Sequence, residues 1–234
     1  MKKYAIIVAG GKGKRFGMGS PKQFYPLLGT PMVMYPIMMF YKTIEQIEII
    51  LVLPADWISL WKELCESHKF DVPHTVVEGG LQRYHSVKSG LQRITDPGLV
   101  AIHDAARPLI SADLINSAFL MASLRKAIIP VIAPNDSVRI FDGAFHKAID
   151  RTNIRLVQTP QVFDTNLLLN AYKQPYDPCF TDDASVVEAN GEPVTLIEGS
   201  LTNIKITHTS DLLYAEALLR SNNDSKHGGP LHFS

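Results

Sequence analysis

The first residues whose types and spacing suggest chemistry lie in the segment 9–23, Ala-Gly-Gly-Lys-Gly-Lys-Arg-Phe-Gly-Met-Gly-Ser-Pro-Lys-Gln. The segment holds five glycines, and it also holds four basic side chains, Lys12, Lys14, Arg15 and Lys22. Glycines let backbone N–H groups converge on one concavity, and neighbouring cations complete an anion site. This pattern predicts a phosphate cradle. A glycine-rich surface loop without a ligand is the alternative, and the density of basic residues counts against it.

Two familiar phosphate-binding motifs do not match this segment. No Gly-Lys-Ser/Thr triplet closes a P-loop, and Phe16 stands where a dinucleotide-binding motif has its third glycine. The cradle therefore belongs to another class of nucleotide or phosphate site.

A second candidate is the run His103-Asp-Ala-Ala-Arg-Pro108. A carboxylate such as Asp104 at the end of a strand suits Mg²⁺, which takes one or two carboxylates together with water and substrate phosphates. Arg107 can clamp a phosphate with two parallel hydrogen bonds. The alternative is that Asp104 caps a turn and pairs with Arg107. We expect His103 to be a structural neighbour of the site and not a ligand or base.

Three later segments carry further polar side chains. They are Asp150-Arg151 with Gln158-Thr-Pro-Gln-Val-Phe163, Thr181-Asp-Asp-Ala-Ser185, and Asn203-Ile-Lys-Ile-Thr207. The Thr181 segment has the pattern of a helix N-terminus. Lys205 is predicted to lie in a short apolar strand, where a lysine must either snorkel or face a ligand.

The elements that must position these residues alternate between strands and helices. Short apolar runs at 4–9, 47–53, 99–103 and 127–132 predict buried strands, and periodic apolar patterns at 56–68, 111–123 and 211–219 predict helices. This alternation favours a three-layer, doubly wound α/β fold with a mostly parallel sheet. Ligands in such sheets bind outside the carboxyl ends of the strands, which is where the candidate segments fall.

The segment 137–155 breaks this rhythm. Its alternating residues surround Asp142-Gly143, which is a strong β-hairpin signal. We expect a β-arm that projects from the main sheet and packs on something, such as a second subunit, because an isolated hairpin is marginal in water. We predict a single domain over residues 1–220, followed by a polar, mobile tail at 221–234.

Composition excludes several classes of function. Of 234 residues, 46% are hydrophobic and 20% are charged, which is ordinary for a soluble globular protein. The 23 Lys and Arg residues balance 23 Asp and Glu residues, which argues against a dedicated nucleic-acid binder. Cys65 and Cys179 lack metal-site spacing, and no apolar run is long enough for a signal peptide or a membrane span. We therefore expect a cytoplasmic protein with reduced thiols.

Taken together and in order, the motifs resemble those of one enzyme family. They are Gly-Gly-x-Gly-x-Arg, Pro-Lys-Gln, Gly-Gly-x-x-Arg-x-x-Ser, His-Asp-Ala-Ala-Arg-Pro, Asp-Arg, Thr-Pro-Gln-x-Phe, Thr-Asp-Asp-Ala-Ser and Asn-Ile-Lys-Ile-Thr, from about Lys3 to Leu219. The sequence resembles the 2-C-methyl-D-erythritol 4-phosphate cytidylyltransferases of the non-mevalonate isoprenoid pathway. This resemblance implies a Rossmann-like nucleotidyltransferase that joins CTP to a sugar-alcohol phosphate and releases pyrophosphate.

The resemblance also implies roles for individual residues. It implies nucleotide contacts at Ala9, Gly10, Gly11, Gly13, Gly80 and Ser86. It implies catalytic cations at Arg15, Lys22 and Lys205, and a ligand for Mg²⁺ or another divalent cation at Asp104. Contacts with the phosphosugar match Arg107, Arg151, Thr159 and Thr181. The arm matches a family element that reaches into a partner subunit, which implies a homodimer.

Three other functions stay open at the level of sequence. A ribitol-5-phosphate cytidylyltransferase keeps the reaction and changes the acceptor, although Ala105-Ala106 and Asp150-Arg151 favour methylerythritol phosphate. A nicotinamide-dependent oxidoreductase would need a third glycine at Phe16 and an acid near Pro36. A non-catalytic sensor would bind CTP and release no pyrophosphate.

Overall fold

The computed structural model describes residues 1–10 and 21–226. The strands in these ranges, in chain order, are β1 Lys2–Val8, β2 Pro26–Leu27, β3 Thr30–Pro31, β4 Glu48–Leu53, β5 Thr75–Glu78, β6 Gly98–Asp104, β7 Ala127–Ile132, β8 Val138–Phe141, β9 His146–Ile149, β10 Leu156–Val157, β11 Gln161–Asp164 and β12 Thr195–Glu198. The α-helices are α1 Met34–Thr43, α2 Ile58–Ser67, α3 Arg83–Leu91, α4 Ala112–Arg125, α5 Thr165–Ala171, α6 Asp183–Ala189 and α7 Thr209–Lys226.

Eight of these strands form one mixed, mostly parallel sheet. Its order is β10-β7-β11-β6-β1-β4-β5, and β12 pairs with β7. The chain runs from β1 outward to β4 and β5, then crosses to the other side of β1 to form β6. Only β10 and β11 run antiparallel to their neighbours. The carboxyl ends of β1 and β6 therefore flank the point where the strand order reverses, which is where doubly wound sheets bind ligands.

Alternating residues of the central strands form two cores, one on each face of the sheet. Ala5 and Ile7 of β1 pack with side chains of α1, α2 and α4 on one face. Tyr4 and Ile6 pack with side chains of α3, α5 and α6 on the other face. Burial on both faces explains why β1 reads as an unbroken apolar run. The expected three-layer α/β fold is confirmed.

The arm is a separate two-stranded sheet. Val138 pairs with Ile149 and Phe141 pairs with His146, so residues 142–145 form the connection. Gly143 has φ +94°, a conformation that suits glycine. The predicted hairpin is present, and its apolar side chains Phe141 and Phe145 are 68% and 78% exposed.

Two sequence expectations differ from the structure. Helix α7 continues to Lys226, six residues past the domain boundary predicted at residue 220, and the mobility of the tail stays a prediction. Residues 221–226 are polar and so lack the apolar periodicity that indicates a helix, but they include no Gly or Pro that would end one. Lys205 lies outside any strand: the neighbouring Ile206 N donates to Ala106 O, but no β-ladder forms around this bond.

Within residues 1–10 and 21–226, no helix combines the length and the hydropathy that a membrane crossing requires.

Candidate active site

A cavity of about 700 Å³ opens at the carboxyl ends of four neighbouring strands. Residues directly after or at the ends of β1, β4, β5 and β6 line it, namely Val8, Ala9, Gly10, Pro54, Ala55, Glu78, Gly79, Gly80, Asp104, Ala105 and Ala106. Side chains from other elements complete the wall, namely Lys22, Gln23, Leu81, Gln82, Arg83, Ser86 and Lys205. The cavity thus lies where the sheet topology predicts a ligand.

One wall of the cavity is built around the buried hydroxyl of Ser86. Gly80 N–H donates to Ser86 Oγ over 3.2 Å. A Cβ at Gly79 would approach Ser86 Oγ to 2.9 Å, and a Cβ at Gly80 would approach His85 Cβ to 2.4 Å. Only glycine therefore fits this close passage of the loop over the start of α3. The wall offers backbone groups and one hydroxyl to the polar edge of a ligand.

Two lysines from distant parts of the sequence line the same cavity. Lys22 lies on a single 3₁₀ turn, Lys22–Phe24, and its Nζ donates to Ile206 O over 2.8 Å. The neighbouring Gln23 side chain ties this turn to the end of β1 by donating to Ala9 O over 2.8 Å. Lys205 Nζ donates to Asp104 Oδ2 over 2.6 Å. The segment around Ile206 thus brings both ammonium groups to the cavity.

Asp104 is a buried carboxylate held by two cations. Arg83 Nε donates to its Oδ1 over 3.2 Å, while Lys205 occupies its Oδ2. Burial would raise the pKa of Asp104, but Arg83, Lys205 and also Arg107 outweigh it and hold that pKa well below its usual value. The carboxylate is therefore ionised at neutral pH. The alternative in which it forms its ion pair with Arg107 is wrong.

Arg83 belongs to the Gly-Gly-x-x-Arg-x-x-Ser motif, and the sequence alone indicates no role for it. Its Nη2 also donates to Asp183 Oδ2 over 2.7 Å, and Tyr172 Oη donates to Asp183 Oδ1 over 2.6 Å. Burial alone would lower the pKa of Arg83, but the two carboxylates raise it well above its usual value. The sequence shows only that an arginine stands four residues after Gly79. It does not show that this arginine pairs with Asp183, which lies 100 residues away.

Arg107 and Thr159 are buried next to Asp104, and each is joined to the main chain of Asp104 by a hydrogen bond. Arg107 donates from Nη1 to Asn203 O over 2.7 Å and from Nη2 to Val157 O over 3.4 Å. Asp104 N–H donates to Thr159 Oγ1 over 3.1 Å. Both residues are buried, and they are absent from the described cavity wall. They tie the end of β6 to the segments that carry Lys205 and β11.

His103 is a structural neighbour of the site, as expected. Its Nε2 contacts Arg107 O at 3.0 Å and its Nδ1 contacts Thr159 Oγ1 at 3.1 Å. Because a carbonyl only accepts, Nε2 carries the proton and the threonine hydroxyl donates to Nδ1. Burial lowers the pKa of His103 to about 4. The ring is therefore neutral at pH 7.

Two predicted residues lie away from the cavity wall. Arg151 begins the short turn after the arm, and its Nη1 donates to Asn135 O. Thr181 is exposed just before α6, the helix whose start the sequence pattern predicts, and Asp182 and Ser185 form a capping box there. Gly11, Gly13 and Arg15 lie outside the described residues. The structure therefore brings Ala9, Gly10, Lys22, Gly80, Ser86, Asp104 and Lys205 together at one cavity.

Comparison with known proteins identifies the kind of enzyme to which this cavity belongs. Residues 4–221 match the family model of 2-C-methyl-D-erythritol 4-phosphate cytidylyltransferase. A protein of that name from Bacteroides fragilis is 50% identical over 92% of this chain and 98% of its own length. The protein of that name from Bacteroides thetaiotaomicron is 48% identical over 94% of this chain and 100% of its own length.

Solved structures agree with the sequence relatives. The crystal structure of 2-C-methyl-D-erythritol 4-phosphate cytidylyltransferase from Thermus thermophilus is 32% identical, with a TM-score of 0.77 over 94% of this chain and 100% of that one. The 4-diphosphocytidyl-2C-methyl-D-erythritol synthase from Anaerococcus prevotii is 30% identical, with a TM-score of 0.77 over 94% and 98% of the two chains. The resemblance carried by the motifs is confirmed. The chain is a nucleotidyltransferase that belongs to the 2-C-methyl-D-erythritol 4-phosphate cytidylyltransferase family.

Proposed function

We propose that the chain transfers the cytidylyl group of CTP to 2-C-methyl-D-erythritol 4-phosphate. A phosphate oxygen of the acceptor attacks the α-phosphorus of CTP, the bond to the bridging oxygen of the β-phosphate breaks, and pyrophosphate leaves. The products are 4-diphosphocytidyl-2-C-methyl-D-erythritol and pyrophosphate. The observation that carries the proposal is the convergence of Lys22 and Lys205 on one cavity at the switch point of the sheet, in a chain of this family.

This reaction needs cations more than it needs a base. A phosphate monoester has a second pKa near ~6, so its attacking oxygen is already anionic at neutral pH. The difficulty is repulsion between the two anions, about 4 kcal/mol for unit charges 4 Å apart at an effective dielectric constant of about 20. Fixed ammonium and guanidinium groups offset this repulsion and stabilise charge that develops on the transferred group. In this proposal Lys22, Lys205 and Arg15 do so.

The remaining predicted residues have binding roles in the same proposal. Ser86 and the loop around Gly80 contact the nucleoside, and Ala9, Gly10, Gly11 and Gly13 hold the phosphates. Arg107, Arg151, Thr159 and Thr181 serve the phosphosugar. The support differs among them: Ala9, Gly10, Gly80 and Ser86 line the cavity, whereas Arg107 and Thr159 are buried beside Asp104 and do not line it.

In the proposed reaction a divalent cation would be held through a single protein ligand, Asp104. In the part of the chain that the structure describes, no three His, Cys, Asp or Glu side chains gather as a metal-binding group. Asp104, however, is an ionised carboxylate in the cavity wall, and Mg²⁺ commonly takes one carboxylate and completes its shell with water and substrate phosphates. Asp104 would hold the ion, which would neutralise charge on the triphosphate.

The proposal extends to assembly and location. We infer a homodimer formed through the arm, because Phe141 and Phe145 leave an apolar surface on a hairpin that is marginal alone. We also infer action in the cytoplasm, which the free thiols Cys65 and Cys179 support. No partner nucleic acid is proposed, since the net charge is zero.

Pyrophosphate release in the presence of CTP and Mg²⁺ tests the function. We expect turnover with 2-C-methyl-D-erythritol 4-phosphate and little with ribitol 5-phosphate. Turnover with ribitol 5-phosphate alone would change the acceptor, and CTP binding without turnover on either would indicate a sensor. Parallel reactions with UTP test the base, and only CTP is expected to react.

A further inference from the structure

Five polar side chains form a continuous chain of alternating charge that starts in the cavity and ends in the core. Its links run from Lys205 to Asp104, from Asp104 to Arg83, from Arg83 to Asp183, and from Asp183 to Tyr172. The charges of the four ionised members cancel. Each of the four oxygens of Asp104 and Asp183 accepts one hydrogen bond, and the four donor atoms are all different. This matching satisfies the groups that burial would otherwise penalise.

Only the first part of this chain faces the cavity. Lys205, Asp104 and Arg83 line it, whereas Asp183 is 0% exposed and Tyr172 is buried between α5 and α6. Asp183 is also the first residue of α6, whose N-terminus is fixed by the Asp182–Ser185 capping box. The inner end is thus anchored to rigid structure. The outer end is a lysine whose side chain is 46% exposed.

Arg83 is the member that joins the two ends. It uses two different atoms of its planar guanidinium, Nε for Asp104 and Nη2 for Asp183. A lysine has a single ammonium on a flexible stem and does not reproduce this fork. With Oδ1 of Asp104 fixed by Arg83, Oδ2 is turned towards Lys205. The position of the Lys205 ammonium therefore depends on an arginine that it does not touch.

We propose that Arg83 is a positioning residue, which orients the Asp104 carboxylate and thereby fixes the Lys205 ammonium for cytidylyl transfer. This inference rests on the proposed function of the cavity. An ammonium held in advance needs no reorganisation as charge develops on the transferred group, so its placement acts mainly on kcat. A merely structural Arg83 would change stability and leave the contribution of Lys205 intact.

A double-mutant cycle separates these two roles. We expect Arg83→Met to lower kcat by roughly 10²-fold while the KM for CTP changes by less than about threefold. Arg83→Lys should recover part of this loss, since it restores the charge without the fork. Because both residues act through one interaction, the double mutant should have a kcat less than about threefold below that of Lys205→Met alone. Arg93→Met, an exposed arginine two residues after α3, is the matched control and should leave kcat unchanged.

If Arg83→Met fails to fold, Asp183→Asn and Tyr172→Phe take its place, because they loosen the anchor without entering the cavity. Each should lower kcat and leave the KM for CTP within about threefold. Losses that multiply in the Arg83 and Lys205 double mutant would overturn the inference, as would wild-type kcat in all three anchor variants.

The ¹⁵N resonance of Lys205 Nζ, assigned by its loss in Lys205→Met, gives a second measurement that does not need turnover. We expect it to shift in Arg83→Met and not in Arg93→Met. A wild-type protein that released no pyrophosphate would contradict the proposed function alone, and this resonance would then decide the inference. An unchanged resonance in Arg83→Met would overturn it.

Discussion

Charged side chains from distant sequence positions lie together at one cavity. Lys22 and Lys205 are far apart in the sequence, yet both line the same cavity, where Lys22 donates to Ile206 O and Lys205 to Asp104. The buried Asp104 keeps its negative charge because cations surround it. The cavity therefore presents positive charge on its wall, and its carboxylate remains ionised.

Removal of the Lys22 ammonium tests the role of that wall. We expect Lys22→Ala to lower turnover by on the order of 10²-fold or more, because a fixed cation acts on charge that develops during transfer. Steady-state pyrophosphate release measures the effect. Lys62→Ala removes an exposed ammonium on α2 and serves as the control. Near wild-type turnover in Lys22→Ala would remove Lys22 from the mechanism.

His103 makes folding stability depend on pH. Its pKa is about 4 in the folded protein and near 6.5 when unfolded, so between these values the unfolded chain binds the extra proton. Its contribution is therefore complete above pH ~6.5 and is lost as the pH falls towards 4. From pH 7.5 to 4.5 the loss should be roughly 2–3 kcal/mol.

Urea unfolding of wild-type protein and His103→Gln at several pH values measures this loss. The variant should lack that part of the pH dependence, whatever its absolute stability, because glutamine does not titrate. His68→Gln, which changes an exposed histidine, should keep the wild-type slope. Equal slopes in all three proteins would show that His103 does not titrate in this range.

For single residues, the sequence indicated which side chains belong to the site but not which side chains they contact. Lys22 and Asp104 lie in segments that follow predicted strands, and Lys205 was placed within one; the family resemblance implied their roles, and all three line one cavity. The ion pairs of Asp104 with Arg83 and Lys205 were not foreseen, because pairing across 21 and 101 residues depends on the complete fold.

At the scale of elements, the arm is the part of the chain with the least support from its own subunit. Strands β8 and β9 pair only with each other, and most of their side chains are exposed. The Asp142 side chain accepts hydrogen bonds from Ala144 N and Phe145 N, which stabilises the turn without covering the apolar residues. Another surface must bury these residues if the hairpin is to be stable.

Substitution of the exposed arm phenylalanines tests the inferred homodimer. We expect wild-type protein to sediment at twice the chain mass of 26.0 kDa, and Phe141→Ser with Phe145→Ser to shift it towards that single mass. The loss of buried apolar area weakens association. Leu213→Ser with Tyr214→Ser changes an exposed pair on α7 and is the control. A wild-type monomer, or a variant with unchanged mass, would contradict an arm-mediated dimer.

Element boundaries followed the apolar patterns where burial alone decides them. The strands predicted at 47–53, 99–103 and 127–132 are β4, β6 and β7 to within one residue. The segment around Lys205 has strand-like composition and forms no ladder, because Asn203 side-chain bonds and a single Ile206 bond hold it instead. Such tertiary anchoring leaves no periodic signal in the sequence.

At the scale of the whole molecule, the order of strands places the site. The sequence predicted a mostly parallel sheet, and its alternation of strands and helices does not specify which strands are neighbours. Insertion of the antiparallel β11 between β6 and β7 was not foreseen. It matters because Thr159, just before β11, thereby reaches the end of β6. The residues that line the cavity follow β1, β4, β5 and β6, on both sides of the switch point between β1 and β6.

A crystal structure of the protein with CTP and Mg²⁺ would show whether this cavity holds the nucleotide with its cations facing the reacting phosphate. We expect the triphosphate between Lys22, Lys205 and the residues that follow β1, with the base beside Ser86. A triphosphate bound away from the carboxyl ends of β1 and β6 would contradict it.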